Sequence, residues 1–245
     1  MIDSASTLRS IALEQPATIR VFERFQLDYC CGGKRPLAEA CAEKGIATQE
    51  VLSALADAVN TMLCEEDLSQ ATPTELIRHI VETHHTYIRS ELPHLQAMAE
   101  RVATKHGPVH PEVTVVRRNL AQLADEIIFH LDKEERILFP YIEGLERSRN
   151  QNASPPSGCF GTVENPIRAM IHEHEGAAIL LAEMRAVTHG FVPWLDACPT
   201  TVGLYHGLDA FERDLHRHVH LENNLLFPRA IALESETPAV LVLRR

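Results

Sequence analysis

The chain has 245 residues, of which 45% are hydrophobic and 5% aromatic, and its formal net charge is −11 at pH 7. This acidity argues against nucleic acid or an anionic membrane as a partner, since both select basic surfaces. The scarcity of aromatic residues and glycine favours packed helices over a β-sandwich. Neither a membrane-spanning apolar run nor a secretory signal is visible, which predicts a cytoplasmic protein with reduced thiols.

Residues 1–70 predict a small helical domain made of short helices, the last of which runs from about Thr48 to Met62. A glycine pair ends helical structure in the stretch 28–33, Asp-Tyr-Cys-Cys-Gly-Gly. Its adjacent thiols, Cys30 and Cys31, could be a redox pair, a transient metal handle or two buried structural thiols. The residues alone do not choose among these three readings.

Residues 71–235 predict an all-α, up-down-up-down four-helix bundle. Four long stretches carry apolar residues that step alternately by three and four, which is typical of the buried stripe of an antiparallel bundle. These stretches cover about 73–105, 111–147, 165–188 and 201–233. The Ser- and Pro-rich segment 148–161 is predicted to be a connector. The tail 236–245 has no predicted packing partner.

Six polar residues interrupt these apolar stripes, and they are His85, His130, Glu134, His174, His218 and Glu222. Four of them form two His-x-x-x-Glu pairs in near-copies, 130–140 and 218–228, and residues four apart share one face of a helix. Counting residues from the helix ends, at a rise of 1.5 Å, puts one of the six on every helix at roughly 14–20 Å from the same end of the bundle. The six residues are therefore predicted to share one layer.

Four imidazoles and two carboxylates are a ligand set for two metal ions, with two His for each ion and both Glu bridging. These donors suit iron, manganese or zinc, and the charge left on the ions predicts an oxo or hydroxo bridge. A single His in such a stripe is more often a hydrogen-bonded core residue, and a metal-free bundle is the alternative. His106 lies roughly 30 Å along the helix from His85 and is excluded. Glu173 is expected to be a solvated residue or to line an access path.

The stretches around these residues resemble the repair-of-iron-centres (RIC) family of di-iron proteins. The resemblance rests on Asp-Tyr-Cys-Cys-Gly-Gly-Lys (28–34), the two copies that end in Leu-Phe-Pro, and Glu-His-Glu (173–175). It covers about residues 5–233. It implies a hemerythrin-like bundle with two non-haem irons, preceded by a small domain that carries the family's Cys pair, here Cys30 and Cys31. The implied iron ligands are His85, His130, Glu134, His174, His218 and Glu222.

The resemblance also implies the repair of iron–sulfur clusters damaged by nitrosative or oxidative stress. The expected partners are proteins that carry damaged clusters, with NO or O₂ as small ligands. Two rival functions are an enzyme that reduces NO and a hemerythrin-like sensor or scavenger of NO or O₂. Hemerythrins carry His-x-x-x-His on the third helix, whereas here Ala178 follows His174 by four residues. Reversible O₂ carriage is therefore disfavoured.

Overall fold

The computed structural model describes residues 2–60 and 67–236, and within these ranges it contains helices and no β-strand. The predicted end of a helix near Met62 and the predicted tail beyond Glu236 lie outside the described residues. Contacts divide the chain into two compact units. One comprises Met1–Thr72 with Val219–Pro228, and the other comprises Pro73–His218 with Arg229–Arg245.

Among the described residues up to Asn60, the first unit contains four α-helices around its own apolar core. They are α1 (Leu8–Glu14), α2 (Ile19–Phe25), α3 (Leu37–Lys44) and α4 (Thr48–Asn60). The hydroxyl of Thr7 caps α1 by accepting a hydrogen bond from the backbone N–H of Ser10 at 3.1 Å. Gly45 ends α3 with a φ of 67°, a left-handed conformation that glycine adopts without a steric penalty.

The four predicted long helices are present, but three of them are interrupted by a π-helical turn. Their α-helical parts are α5 (Pro73–His79), α6 (Thr86–His106), α7 (Glu112–Lys133), α8 (Phe139–Gln151), α9 (Glu164–Val187), α10 (Pro199–Leu221) and α11 (Phe227–Glu236). The π-helical turns are Ile80–His85, Glu134–Leu138 and Glu222–Leu226. The last predicted helix is thus α10, a π turn and α11 in one continuous run, and it contributes residues to both units.

The interior of the bundle is apolar along most of its length. On α7, for example, Val116, Leu120 and Leu123 are completely buried, and α7 packs against both α6 and α9. Burying one such side chain stabilises the folded state by about 1.5–3 kcal/mol. The predicted all-α fold is confirmed. No helix of the described residues is long and apolar enough to cross a membrane.

Candidate metal centre

The six predicted polar residues come together in one buried cluster made of two overlapping groups. The ligand atoms of His85, Glu134, His218 and Glu222 lie within 4.8 Å of one another. The same holds for His130, Glu134, His174 and Glu222. All six side chains are at most 2% exposed. Because both glutamates occur in both groups, the two groups share both carboxylates.

The contacts of Glu134 illustrate this sharing. Its Oε1 atom lies 3.2 Å from Nε2 of His130, and its Oε2 atom lies 3.5 Å from Nε2 of His85. The two oxygens of one carboxylate therefore face histidines of different groups. A carboxylate that bridges two metal ions needs this arrangement.

The imidazoles face one another in pairs through their Nε2 atoms. These atoms are 3.2 Å apart in the pair of His85 with His218, and 3.1 Å apart in the pair of His130 with His174. On His85 and His130 the other ring nitrogen, Nδ1, contacts a carboxylate, which can only accept a hydrogen bond when it is ionised. An acceptor at Nδ1 directs that nitrogen to donate, so Nε2 is the nitrogen that each ring turns toward the cluster and could offer to a metal. The residues present thus fit metal binding.

The π-helical turns lie at the cluster itself. Glu134 and Glu222 each begin such a turn, and His85 ends the third. A π turn takes up one residue more than an α-helical turn, so it changes the direction in which the following side chains point. Single π turns within α-helices occur often at functional sites.

The predicted cysteine pair lies in the first unit. Cys30 is buried and Cys31 is half-buried, and both are free thiols. Asp28 accepts hydrogen bonds from the backbone N–H of Cys31 at 2.9 Å and from the Cys30 thiol at 3.4 Å. The hydrogen bond with Cys31, together with burial, raises the pKa of the Cys30 thiol. Asp28 and the two thiols also form a group that could hold a metal ion.

Comparison with known proteins covers both parts of the chain. Residues 76–230 match the family model described as "Hemerythrin HHE cation binding domain", and residues 4–59 match "Domain of Unknown function (DUF542)". The "Iron-sulfur cluster repair protein YtfE" of Dickeya chrysanthemi is 36% identical over 225 residues, which are 92% of this chain and 96% of that protein. The protein of the same name from Edwardsiella ictaluri is 39% identical over 224 residues, or 91% and 96% of the two chains. This chain belongs to the YtfE family.

Two carboxylates of this YtfE family member contact predicted metal ligands but were not assigned to the metal centre from the sequence. Glu135 contacts Nδ1 of His85 at 2.9 Å, and Glu173 contacts Nδ1 of His130 at 2.8 Å. The expectation that Glu173 is solvated or lines an access path leaves out its main contacts, which are His130 and Lys133. The hydrogen bond from His130, joined by one from Lys133, lowers the pKa of Glu173 to about 2. His106, excluded from the predicted ligands, packs against Trp194 with 5.5 Å between ring centroids.

Two histidines beside the predicted ligands are also buried. His84 bonds through Nδ1 to Asp214 at 2.9 Å, and its ring stacks on His218 with centroids 5.9 Å apart. His220 lies 3.0 Å from the side-chain amide of Asn224, and burial lowers the pKa of His220 to about 4. The cluster could therefore hold metal within a shell of hydrogen-bonded polar groups, as a hemerythrin-like domain implies.

Proposed function

We propose that this chain is a di-iron protein that assists the repair of iron–sulfur clusters damaged by nitrosative or oxidative stress. The observation that carries the proposal is the pair of four-residue groups that share Glu134 and Glu222. A site for one ion would use one group, whereas two groups with both carboxylates in common suit two ions. Relatives named iron–sulfur cluster repair proteins support iron as the metal and cluster repair as the role.

The proposed iron ligands are the six residues predicted from the sequence, namely His85, His130, Glu134, His174, His218 and Glu222. When bound, an iron pair would supply redox chemistry, a source of iron and a position for NO or O₂. The two carboxylates offset only part of the charge of two irons, which supports an additional oxo or hydroxo bridge. Burial of all six side chains keeps bulk water from competing with the ligand atoms.

The proposed partners are proteins that carry damaged iron–sulfur clusters. We further propose that Cys30 and Cys31 act as a redox pair or handle metal transiently, because both are free thiols that share contacts with Asp28. The high pKa of Cys30 keeps this thiol protonated at neutral pH, so metal or a partner would have to displace its proton.

The cytoplasm stays the predicted compartment, and cell fractionation would test it.

Metal analysis and a repair assay test this proposal together. We expect the purified protein to hold two irons and to restore an iron–sulfur dehydratase inactivated by NO. The Glu134→Ala variant should lose iron and repair activity, whereas Cys30→Ser should keep iron and repair poorly. Glu175→Ala is a matched control, because Glu175 lies beside His174 but is 60% exposed. Repair by Glu134→Ala at the wild-type rate, or a wild-type protein without iron, would contradict the proposal.

The assay also separates cluster repair from the rival functions. Anaerobic addition of NO to the reduced protein should not give turnover to N₂O if repair is the function. Sustained N₂O production, without restoration of the damaged dehydratase, would identify an NO-reducing enzyme instead. A stable nitrosyl adduct without either activity would identify a sensor or scavenger.

A further inference from the structure

Two histidine rings of the cluster, those of His85 and His130, each lie between two consecutive residues of a neighbouring helical segment. His85 contacts Glu134 through Nε2 at 3.5 Å and Glu135 through Nδ1 at 2.9 Å. His130 contacts His174 through Nε2 at 3.1 Å and Glu173 through Nδ1 at 2.8 Å. In each case one residue contacts Nε2, the ring nitrogen that faces the cluster, and its neighbour in the sequence contacts Nδ1.

The outer carboxylates are themselves held by cations. Arg89 donates to Glu135 at 3.1 Å and to Asp132 at 2.9 Å, so it ties the carboxylate of Glu135 to a second acidic residue. Lys133 forms a short ion pair with Oε1 of Glu173, while Oε2 of the same carboxylate contacts His130. In Glu135 one oxygen, Oε1, contacts both Arg89 and His85, whereas in Glu173 the cation and the histidine contact different oxygens. A cation thus holds each carboxylate beside its histidine.

Burial differs sharply between the rings and these carboxylates. The side chains of His85 and His130 are 1% and 2% exposed, whereas those of Glu135 and Glu173 are 32% and 36% exposed. Ionised carboxylates are therefore tolerated there without a large desolvation cost. Each one connects a buried ring to the protein surface.

The two rings belong to different groups of the cluster. His85 belongs to the group with His218, and His130 belongs to the group with His174. An acceptor on Nδ1 fixes the tautomer of the ring, limits its rotation and makes Nε2 a stronger donor to a metal. One such acceptor is present for each group.

We propose that Glu135 and Glu173 are positioning residues, each of which orients one metal-binding histidine and thereby tunes one of two metal positions. The inference rests on the proposed function, because it takes the cluster to be a site for two ions. It goes beyond the proposed function because it assigns a separate positioning residue to each of the two metal positions. Glu135 supports the position of His85 and His218, and Glu173 supports the position of His130 and His174.

The test compares Glu135→Gln and Glu173→Gln in the full chain loaded with ferrous iron. Glutamine keeps the shape of glutamate but removes its charge and weakens the hydrogen bond that Nδ1 donates. We expect each variant to release one of its two irons to a chelator about 10–100-fold faster than the wild type, and the other iron at the wild-type rate. Mössbauer spectra should show one altered iron signal in each variant, and a different one in each.

Two control variants separate positioning from a general effect of surface charge. Glu82→Gln removes an exposed acid three residues before His85. Glu175→Gln removes an exposed acid two residues from Glu173. Both controls should release iron at the wild-type rate and keep both wild-type iron signals.

The outcomes separate this inference from the proposed function. A wild-type protein that binds no iron defeats the proposed function, and the inference with it. A wild-type protein with two irons, whose Gln variants release both irons at the wild-type rate, overturns the inference alone. Equal acceleration of both irons in one variant also overturns it, because the supports would not be separate. The Glu135→Ala and Glu173→Ala variants, which lack any acceptor, should show larger effects of the same kind.

Discussion

Two segments of this protein, 130–140 and 218–228, have nearly the same sequence pattern and the same backbone. In both, an α-helix ends just before a glutamate, a π turn follows, and a new α-helix begins at a phenylalanine, Phe139 or Phe227. Both deliver one His and one Glu to the buried cluster. The shared sequence pattern therefore corresponds to the same contribution of ligand atoms to the cluster.

The segments differ in the residues that follow the glutamate. In the first segment Ile137 is 51% exposed, and Arg136 makes only an exposed ion pair with Asp132. At the equivalent positions of the second segment, Leu225 and Asn224 are 8% and 6% exposed. The same turn thus faces solvent in one segment and a packed interior in the other. Surroundings, not backbone geometry, decide what these positions contribute.

The largest expected effect concerns what the segments have in common. Glu134→Ala and Glu222→Ala should lose iron to the same extent, since each carboxylate belongs to both groups. Without bound metal, each variant should also lose metal-linked stability of about 4 kcal/mol at metal concentrations 1,000-fold above the dissociation constant. Iron content and thermal unfolding with and without chelator measure both effects. A variant that keeps its iron while the other loses it would show that the segments are not equivalent.

A second prediction concerns a position where the segments differ. Leu225→Ala should lower the free energy of unfolding by roughly 3 kcal/mol, because it leaves a cavity in a packed interior. Ile137→Ala should change it by only about 0.5 kcal/mol, since the side chain is half exposed. Urea unfolding of metal-free protein measures both values without interference from iron. Equal losses would mean that the two turns have similar surroundings.

The common features of the segments could be predicted from the sequence because they depend on periodicity. A stripe of apolar residues at helical spacing is a strong signal, and six polar residues within it stand out. Their level along the bundle follows from the fixed rise of a helix. Antiparallel connection of neighbouring helices then brings them together without knowledge of any individual contact.

The π turns and the supporting carboxylates could not be predicted in this way. A π turn adds one residue without a characteristic residue type, and it shifts the buried face of the helix. After Glu134 the buried side chains include Leu138 and Ile142, whereas Ile137 is 51% exposed. Glu135 and Glu173 adjoin predicted ligands in the sequence, and adjacent residues of an α-helix point about 100° apart. Their contacts with His85 and His130 depend on residues 50 and 43 positions away. Such pairings are determined by packing between helices rather than by local pattern.

The smallest expected effect concerns the position two residues after the shared glutamate, which is Arg136 in the first segment and Asn224 in the second. Asn224 donates its side-chain amide to the backbone oxygens of Tyr29 and Cys30 at 3.3 and 3.4 Å. Asn224→Ala would leave these buried acceptors without that donor and should cost about 1–3 kcal/mol in unfolding free energy. Arg136→Ala, at the equivalent position, removes only an exposed ion pair worth less than about 1 kcal/mol.

Because Asn224 contacts the backbone of the cysteine stretch and no predicted ligand, Asn224→Ala should keep its iron while Cys30 reacts faster with alkylating agents. Unchanged reactivity of Cys30 together with a loss of iron would reverse this assignment and make Asn224 part of the metal centre.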